Sequence, residues 1–145
     1  MRVVITRVTE ASVTVDDDVV AHLPRPGLLI LASVGIGDSE AQLRAVATKV
    51  WGLRILDDEL SASDVDAPIL VVSQFTLHAS TRRGRRPSWS AAATAAVSEP
   101  LLERFCQELE NLGALVLRGR FGADMQVASV NDGPVTILID TDNWT

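Results

Sequence analysis

Residues 28 to 34 read Leu-Leu-Ile-Leu-Ala-Ser-Val, apolar at six of seven positions, where a strand with one wet face would alternate. Such a run reads as a strand hidden on both faces, so other parts of the chain must cover it from two sides. Pro24, Pro26 and Gly27 punctuate the chain just before it. Upstream, Val3 to Val15 alternates as a strand, Asp16 to Asp18 supply a turn, and Val19 to Leu23 return, which predicts a hairpin.

Downstream, Asp38 or Ser39 can cap a helix whose apolar positions Leu43, Val46, Ala47 and Val50 recur at helical spacing until Gly52. Leu53 to Leu56 reads as a short strand, Asp57 to Pro68 as a polar loop, and Ile69 to Leu77 as the next clear strand. An alanine-rich run near residues 91 to 97 has the composition of a weak short helix. A second strong helix is predicted from a cap at Ser98, with Pro100 in its first turn, to Gly113 past its end. Ala114 to Arg118, Met125 to Asn131 and Val135 to Asp140 complete the strands. The expected fold is one α+β domain over residues 1–145, a mostly antiparallel, barrel-like sheet with two main helices.

At 145 residues one core suffices, and no apolar run reaches the ~18 residues of a membrane span. The opening Met-Arg-Val-Val-Ile-Thr-Arg-Val is charged too early for a signal peptide, so a cytoplasmic location is expected. The single cysteine, Cys106, sits on an apolar helical stripe with Leu102, Phe105, Leu109 and Leu112 and reads as a core thiol. The net charge of −6 argues against a non-specific nucleic-acid binder, yet Arg82, Arg83, Arg85 and Arg86 place four positive charges within five residues. Guanidinium suits bidentate phosphate contact, so this cluster is a candidate phosphate site; the same residues could equally form a solvated loop.

On a strand over Ile69 to Leu77, Gln74, Thr76 and His78 would share one face, with Ser73 and Phe75 on the other. A Thr76–His78 nucleophile-base pair is one reading, though side chains two residues apart on a strand are separated by ~6 to 7 Å. With His22 as the only other imidazole, no histidine-based metal site is expected. No phosphate-binding or dinucleotide motif is present beyond the short Gly35-Ile36-Gly37, so no cofactor is expected either. These residues fit an RNA-binding module or a small-anion binder equally well.

Four segments go further: Ser73-Gln74-Phe75-Thr76-Leu77; Thr81-Arg82-Arg83-Gly84-Arg85-Arg86-Pro87-Ser88; Gly119-Arg120-Phe121-Gly122-Ala123-Asp124-Met125; and Asn131-Asp132-Gly133-Pro134-Val135-Thr136. In this order they resemble the signature segments of the D-aminoacyl-tRNA deacylases, and the likeness spans nearly the whole chain. The resemblance implies a cytoplasmic homodimer that hydrolyses, without a metal, the ester of D-aminoacyl-tRNA and of glycyl-tRNA mischarged on tRNA(Ala). It implies a pocket lined by Ser73, Gln74, Phe75 and Thr76, with main-chain N–H groups around Gln74 and Phe75 serving the carbonyl oxygen. Either Thr76 or the tRNA's own 2′-hydroxyl is then the active group. It further implies that a cis Gly133-Pro134 unit, held by Arg7, reaches from the partner subunit to reject L substrates, and that Arg82, Arg83, Arg85 and Arg86 contact tRNA. His78 stands where the family usually has tyrosine, and His78→Phe is expected to cost little. The closing stretch around Trp144 extends past the family segments.

Overall fold

The structure, a computed structural model, describes residues 1–145. β1 (Arg2–Val15) organises it by pairing antiparallel with three strands. β2 (Asp18–His22) closes the expected hairpin on its far half, β3 (Gly27–Ser33) lies beside its first half, and β6 (Gln126–Asp140) runs along its opposite edge. β4 (Ile69–Ser73) and β5 (Val116–Arg118) extend the sheet beyond β3. The pairs β3–β4 and β4–β5 are parallel. The sheet is therefore mixed: three of its five pairings are antiparallel, in keeping with the mostly antiparallel expectation, and two are parallel. The cause lies in the connections: α1 (Glu40–Gly52) and the one-turn α2 (Ala62–Val65) link β3 to β4, and α3 (Ala95–Asn111) links β4 to β5. A helical crossover brings the chain back running the same way.

β3 is covered on both faces, as its composition requires. Leu28, Ile30 and Ala32 pack with Val3, Ile5, Ile69 and Val71 under the buried stripes of α1 (Leu43, Val46, Ala47, Val50) and α3 (Phe105, Leu109). Leu29 faces the other way, joining Val8, Val13, Leu23, Leu70 and Val72 inside the curl of the sheet. β2 comes near β5, so the barrel nearly closes. Cys106 is buried on α3, and burial pushes its thiol up to about 12. No helix is long and apolar enough to cross a membrane.

Several boundaries differ from expectation for local reasons. Ser39 caps α1 through a reciprocal pair with Gln42, while Asp38 is committed elsewhere, to the Met1 amine at 2.5 Å and Gly35 N–H at 2.6 Å. α3 starts at Ala95 behind Thr94, not at Ser98, so Pro100 is its sixth residue. Pro100 has no N–H for the carbonyl of Ala96, a residue in the exposed first turn, and the two alanines are strong enough helix formers to add that turn. Leu53 to Leu56 finds no strand partner and runs as a connection. β4 stops at Ser73 because β3, its ladder partner, stops at Ser33.

The largest departure concerns residues 126 to 140, expected as two strands about a turn. They form the single strand β6 along β1, with Thr6 opposite Thr136 and Val8 opposite Asn131. One residue of β1, Arg7, thus faces four of β6, and Asp132 to Val135 are extruded as a bulge. The Gly133-Pro134 peptide within it is cis.

Candidate active site

The carboxyl ends of the three parallel strands open onto one cavity of about 590 Å³, the end of a parallel sheet at which ligands commonly bind. Ala32 and Ser33 come from β3, Val72 to Phe75 from β4, and Phe121 to Met125 from the turn after β5. Trp89, Ala92 and Ala93, the first turns of α3, and Val127 of β6 complete the wall. The lining is mostly apolar, and Asp124 is its only ionisable side chain.

Past Ser73 the chain leaves the sheet in a 3₁₀ turn, Phe75–His78, so the strand alternation expected for Gln74, Thr76 and His78 does not exist. Gln74 N–H is bonded to Ala32 O at 2.8 Å, and the first donor inside the turn is Leu77 N–H, to Gln74 O at 3.1 Å. The N–H groups of Phe75 and Thr76 therefore precede the helical ladder, as the first donors of any helix do. Gln74 Nε2 donates to Thr76 Oγ1. Thr76 does not line the cavity itself; it sits behind Gln74. Phe75 is 56% exposed and stacks edge-on against Trp89, centroids 5.4 Å apart.

His78 is not paired with Thr76. It is buried, with Nδ1 2.6 Å from Ser33 Oγ. Burial holds its pKa below the ordinary 6.5, helped by the positive charges of Arg2 and the Met1 amine, while Asp38 and Asp140 pull the other way. Below pH 6.5 the unfolded chain binds a proton that the folded chain resists, so stability should fall as pH drops from 6.5 toward the lowered value. Urea midpoints at pH 7 and pH 5 should show that loss, and a His78→Asn protein should lack that contribution.

Arg82, Arg83, Arg85 and Arg86 are exposed on a loop closed by the Ser80–Ser88 bridge. None of the four lies within 4.0 Å of a carboxylate oxygen. The loop's far stem leads straight to Trp89, which lines the cavity, while none of the four arginines lines it.

The sequence pattern of the family described as D-Tyr-tRNA(Tyr) deacylase matches residues 4–140. The chain belongs to that family. It is 60% identical over 144 residues to a D-aminoacyl-tRNA deacylase of Cutibacterium acnes, covering 99% of both chains. It is 58% identical over 143 residues to one of Nocardia farcinica, covering 97% of this chain and all of that one. Among solved structures it resembles "c-Myc DNA Unwinding Element Binding Protein" (TM-score 0.91, 34% identity, 97% and 99% coverage). It also shares the fold of a "probable eukaryotic D-amino acid tRNA deacylase" (TM-score 0.82, 16% identity, 95% and 97% coverage).

Within this deacylase-family fold the expected site residues fall into two groups. Ser73, Gln74 and Phe75 meet at the cavity, with Thr76 behind them. Arg7, Gly133 and Pro134 do not line the cavity of their own chain. Arg7 Nε donates to Asp132 O at 2.7 Å, its Nη1 to Ile55 O at 3.2 Å, and Asn131 Nδ2 returns a bond to Arg7 O at 3.0 Å. The bulge is thus tied to β1 from both sides. Residues 126 to 131 of β6 are all exposed, and its outer edge has no strand partner. Sequence reasoning missed Ser33 and Trp89; Trp89 follows the arginine motif by one residue, while Ser33 was hidden as the one polar position in an apolar run.

Proposed function

We propose that the protein hydrolyses the ester of D-aminoacyl-tRNA, and of glycyl-tRNA mischarged on tRNA(Ala), as a cytoplasmic homodimer without a metal. The observation that carries this reading is an apolar cavity lined by Ser73, Gln74 and Phe75, at the start of a turn whose Phe75 and Thr76 N–H groups precede its hydrogen-bond ladder and before a loop with four unpaired arginines, in a chain of the deacylase family.

The terminal adenosine and its amino acid enter the cavity, and the ester carbonyl oxygen meets those two donors. As water attacks, charge grows on that oxygen, and each aligned donor supplies ~3 to 4 kcal/mol to the transition state. The carbonyl-carbon to 3′-oxygen bond then breaks, and the 3′-oxygen takes a proton, with the neighbouring 2′-hydroxyl participating. The expected oxyanion role of Gln74 N–H passes to Thr76, because Ala32 O already occupies the former. Thr76 Oγ1 accepts from Gln74 and has no base beside it, since His78 serves Ser33. A hydroxyl without a base is a poor nucleophile at neutral pH. Thr76→Ala should therefore keep single-turnover rates within about tenfold of wild type; a loss of several orders of magnitude would restore the nucleophile.

Handedness is read by a second copy of the chain. Two exposed β6 strands with uncovered Val130 and Leu138 form a natural contact face, the kind of edge that is normally covered. Across it, the Gly133-Pro134 bulge of each subunit reaches the other's cavity. Its backbone leaves room only for hydrogen on one side of the substrate Cα, so an L side chain collides and a D side chain points out. Glycine is suited to such an approach, having no Cβ.

Labelled D-tyrosyl-tRNA and L-tyrosyl-tRNA, incubated separately with the protein, test this. D-selective ester loss is expected. A lack of loss with retained binding would favour a nucleic-acid-binding module, the reading suggested by the name of the 34%-identical structure. Loss regardless of chirality, simple esters included, would make it a general esterase.

A further inference from the structure

Strand β3 grips the Phe75–His78 turn at both ends. At the near end the Ala32 carbonyl accepts from Gln74 N–H at 2.8 Å. At the far end Ser33 Oγ and His78 Nδ1 are 2.6 Å apart, with Ser33 1% and His78 4% exposed. The two clamps come from consecutive residues of one strand, and Phe75 and Thr76 lie between them. Ser33 also lines the cavity, so the far clamp stands in the same wall as the reacting groups.

Other contacts close off alternatives for the ring. A Cβ added at Gly35 would fall 2.8 Å from His78 Nε2, so the imidazole is packed against that backbone. Arg2 Nη1 donates to Leu77 O at 2.9 Å, tying the residue before His78 to β1. An apolar residue at 78 could fill this space, but packing is non-directional, whereas a buried hydroxyl–imidazole bond fixes how the turn is rotated. A neutral ring can accept the Ser33 hydroxyl proton at Nδ1.

We propose that Ser33 and His78 are a positioning pair, which holds the Phe75 and Thr76 N–H groups aimed at the ester carbonyl. The proposal rests on the oxyanion reading above and reverses the sequence expectation that His78 is dispensable. Neither residue touches the substrate; both act through the turn.

Kinetics and an NMR measurement on the full-length protein test it. Ser33→Ala and His78→Leu should each lower kcat on D-tyrosyl-tRNA by about 10- to 100-fold, with KM within about twofold of wild type. The D/L ratio should stay unchanged, since the bulge is untouched. His78→Asn, whose side-chain oxygen can stand near the Nδ1 position, should keep kcat within about threefold. The Ser33→Ala/His78→Leu double variant should be no slower than the slower single, because both remove one bond. In ¹⁵N spectra the Phe75 and Thr76 amides should shift in His78→Leu and much less in His78→Asn. Single variants that keep kcat within about threefold, losses that multiply in the double variant, or amides that do not move would each overturn the proposal. If wild type fails to deacylate D-tyrosyl-tRNA, the functional reading fails, while the amide shifts still decide whether the clamp exists.

Discussion

Gly133→Ala should lose most of the discrimination between D- and L-aminoacyl-tRNA. A Cβ at this position would lie 1.9 Å from Val135 N and 3.3 Å from Asn131 Nδ2. The first is backbone, which cannot swing aside like the end of a side chain, so the whole Asp132–Val135 bulge has to move. Steric rejection depends steeply on where the wall stands. A ~10⁴-fold preference corresponds to about 5.5 kcal/mol, and a displaced wall should give back roughly half, about 100-fold in the ratio. The change should come mainly from faster L-ester loss. Arg7→Ala removes one tie to the bulge and leaves the Asn131 bond, so its effect should be smaller, about tenfold. Single-turnover rates on D- and L-tyrosyl-tRNA measure both; an unchanged L rate in Gly133→Ala would separate the bulge from chirality.

Replacing Arg82, Arg83, Arg85 and Arg86 together with glutamine should nearly abolish tRNA binding at moderate salt. Removing four positive charges from a net −6 leaves −10, a body that repels RNA. The four are exposed and unpaired, so little internal structure is lost with them. If each neutralises one phosphate, the slope of log K against log salt should shrink by about 3 to 4. At 50 mM salt that corresponds to an affinity loss of about 100-fold or more. Titrations from 50 to 200 mM salt check it, and a variant with the wild-type slope would remove the loop from the tRNA interface. Catalysis at saturating substrate should change little, because none of the four lines the cavity.

What could be read from the sequence follows the physics of each signal. The both-face burial of β3 was legible because a strand's two faces leave their mark on every residue. The α1 stripe was legible for the same reason. Strand direction was not: parallel pairing of β3, β4 and β5 follows from where the helices cross, which no local pattern encodes. Pro100 misled because a proline in a first turn and one a turn further in look alike when alanines precede them. The end of β4 at Ser73 depends on where its neighbour stops, and with it went the shared face of Thr76 and His78. The Gly133-Pro134 bulge was visible as an oddity, but its four-against-one register exists only across the β1–β6 ladder. Family likeness, not periodicity, marked Ser73 to Thr76 and the arginine loop as a site; the structure adds that Ser73, Gln74 and Phe75 line a cavity at the carboxyl ends of parallel strands.

The central claim is that a second copy completes the cavity. A crystal structure of the protein with a non-hydrolysable D-aminoacyl-adenosine tests it most directly. The account predicts a dimer joined through β6, the ligand's carbonyl oxygen on the Phe75 and Thr76 N–H groups, and the partner's Gly133 and Pro134 within about 4 Å of the ligand Cα. A monomer with the ligand bound, or a dimer that leaves the bulge in solvent away from the cavity, would contradict it.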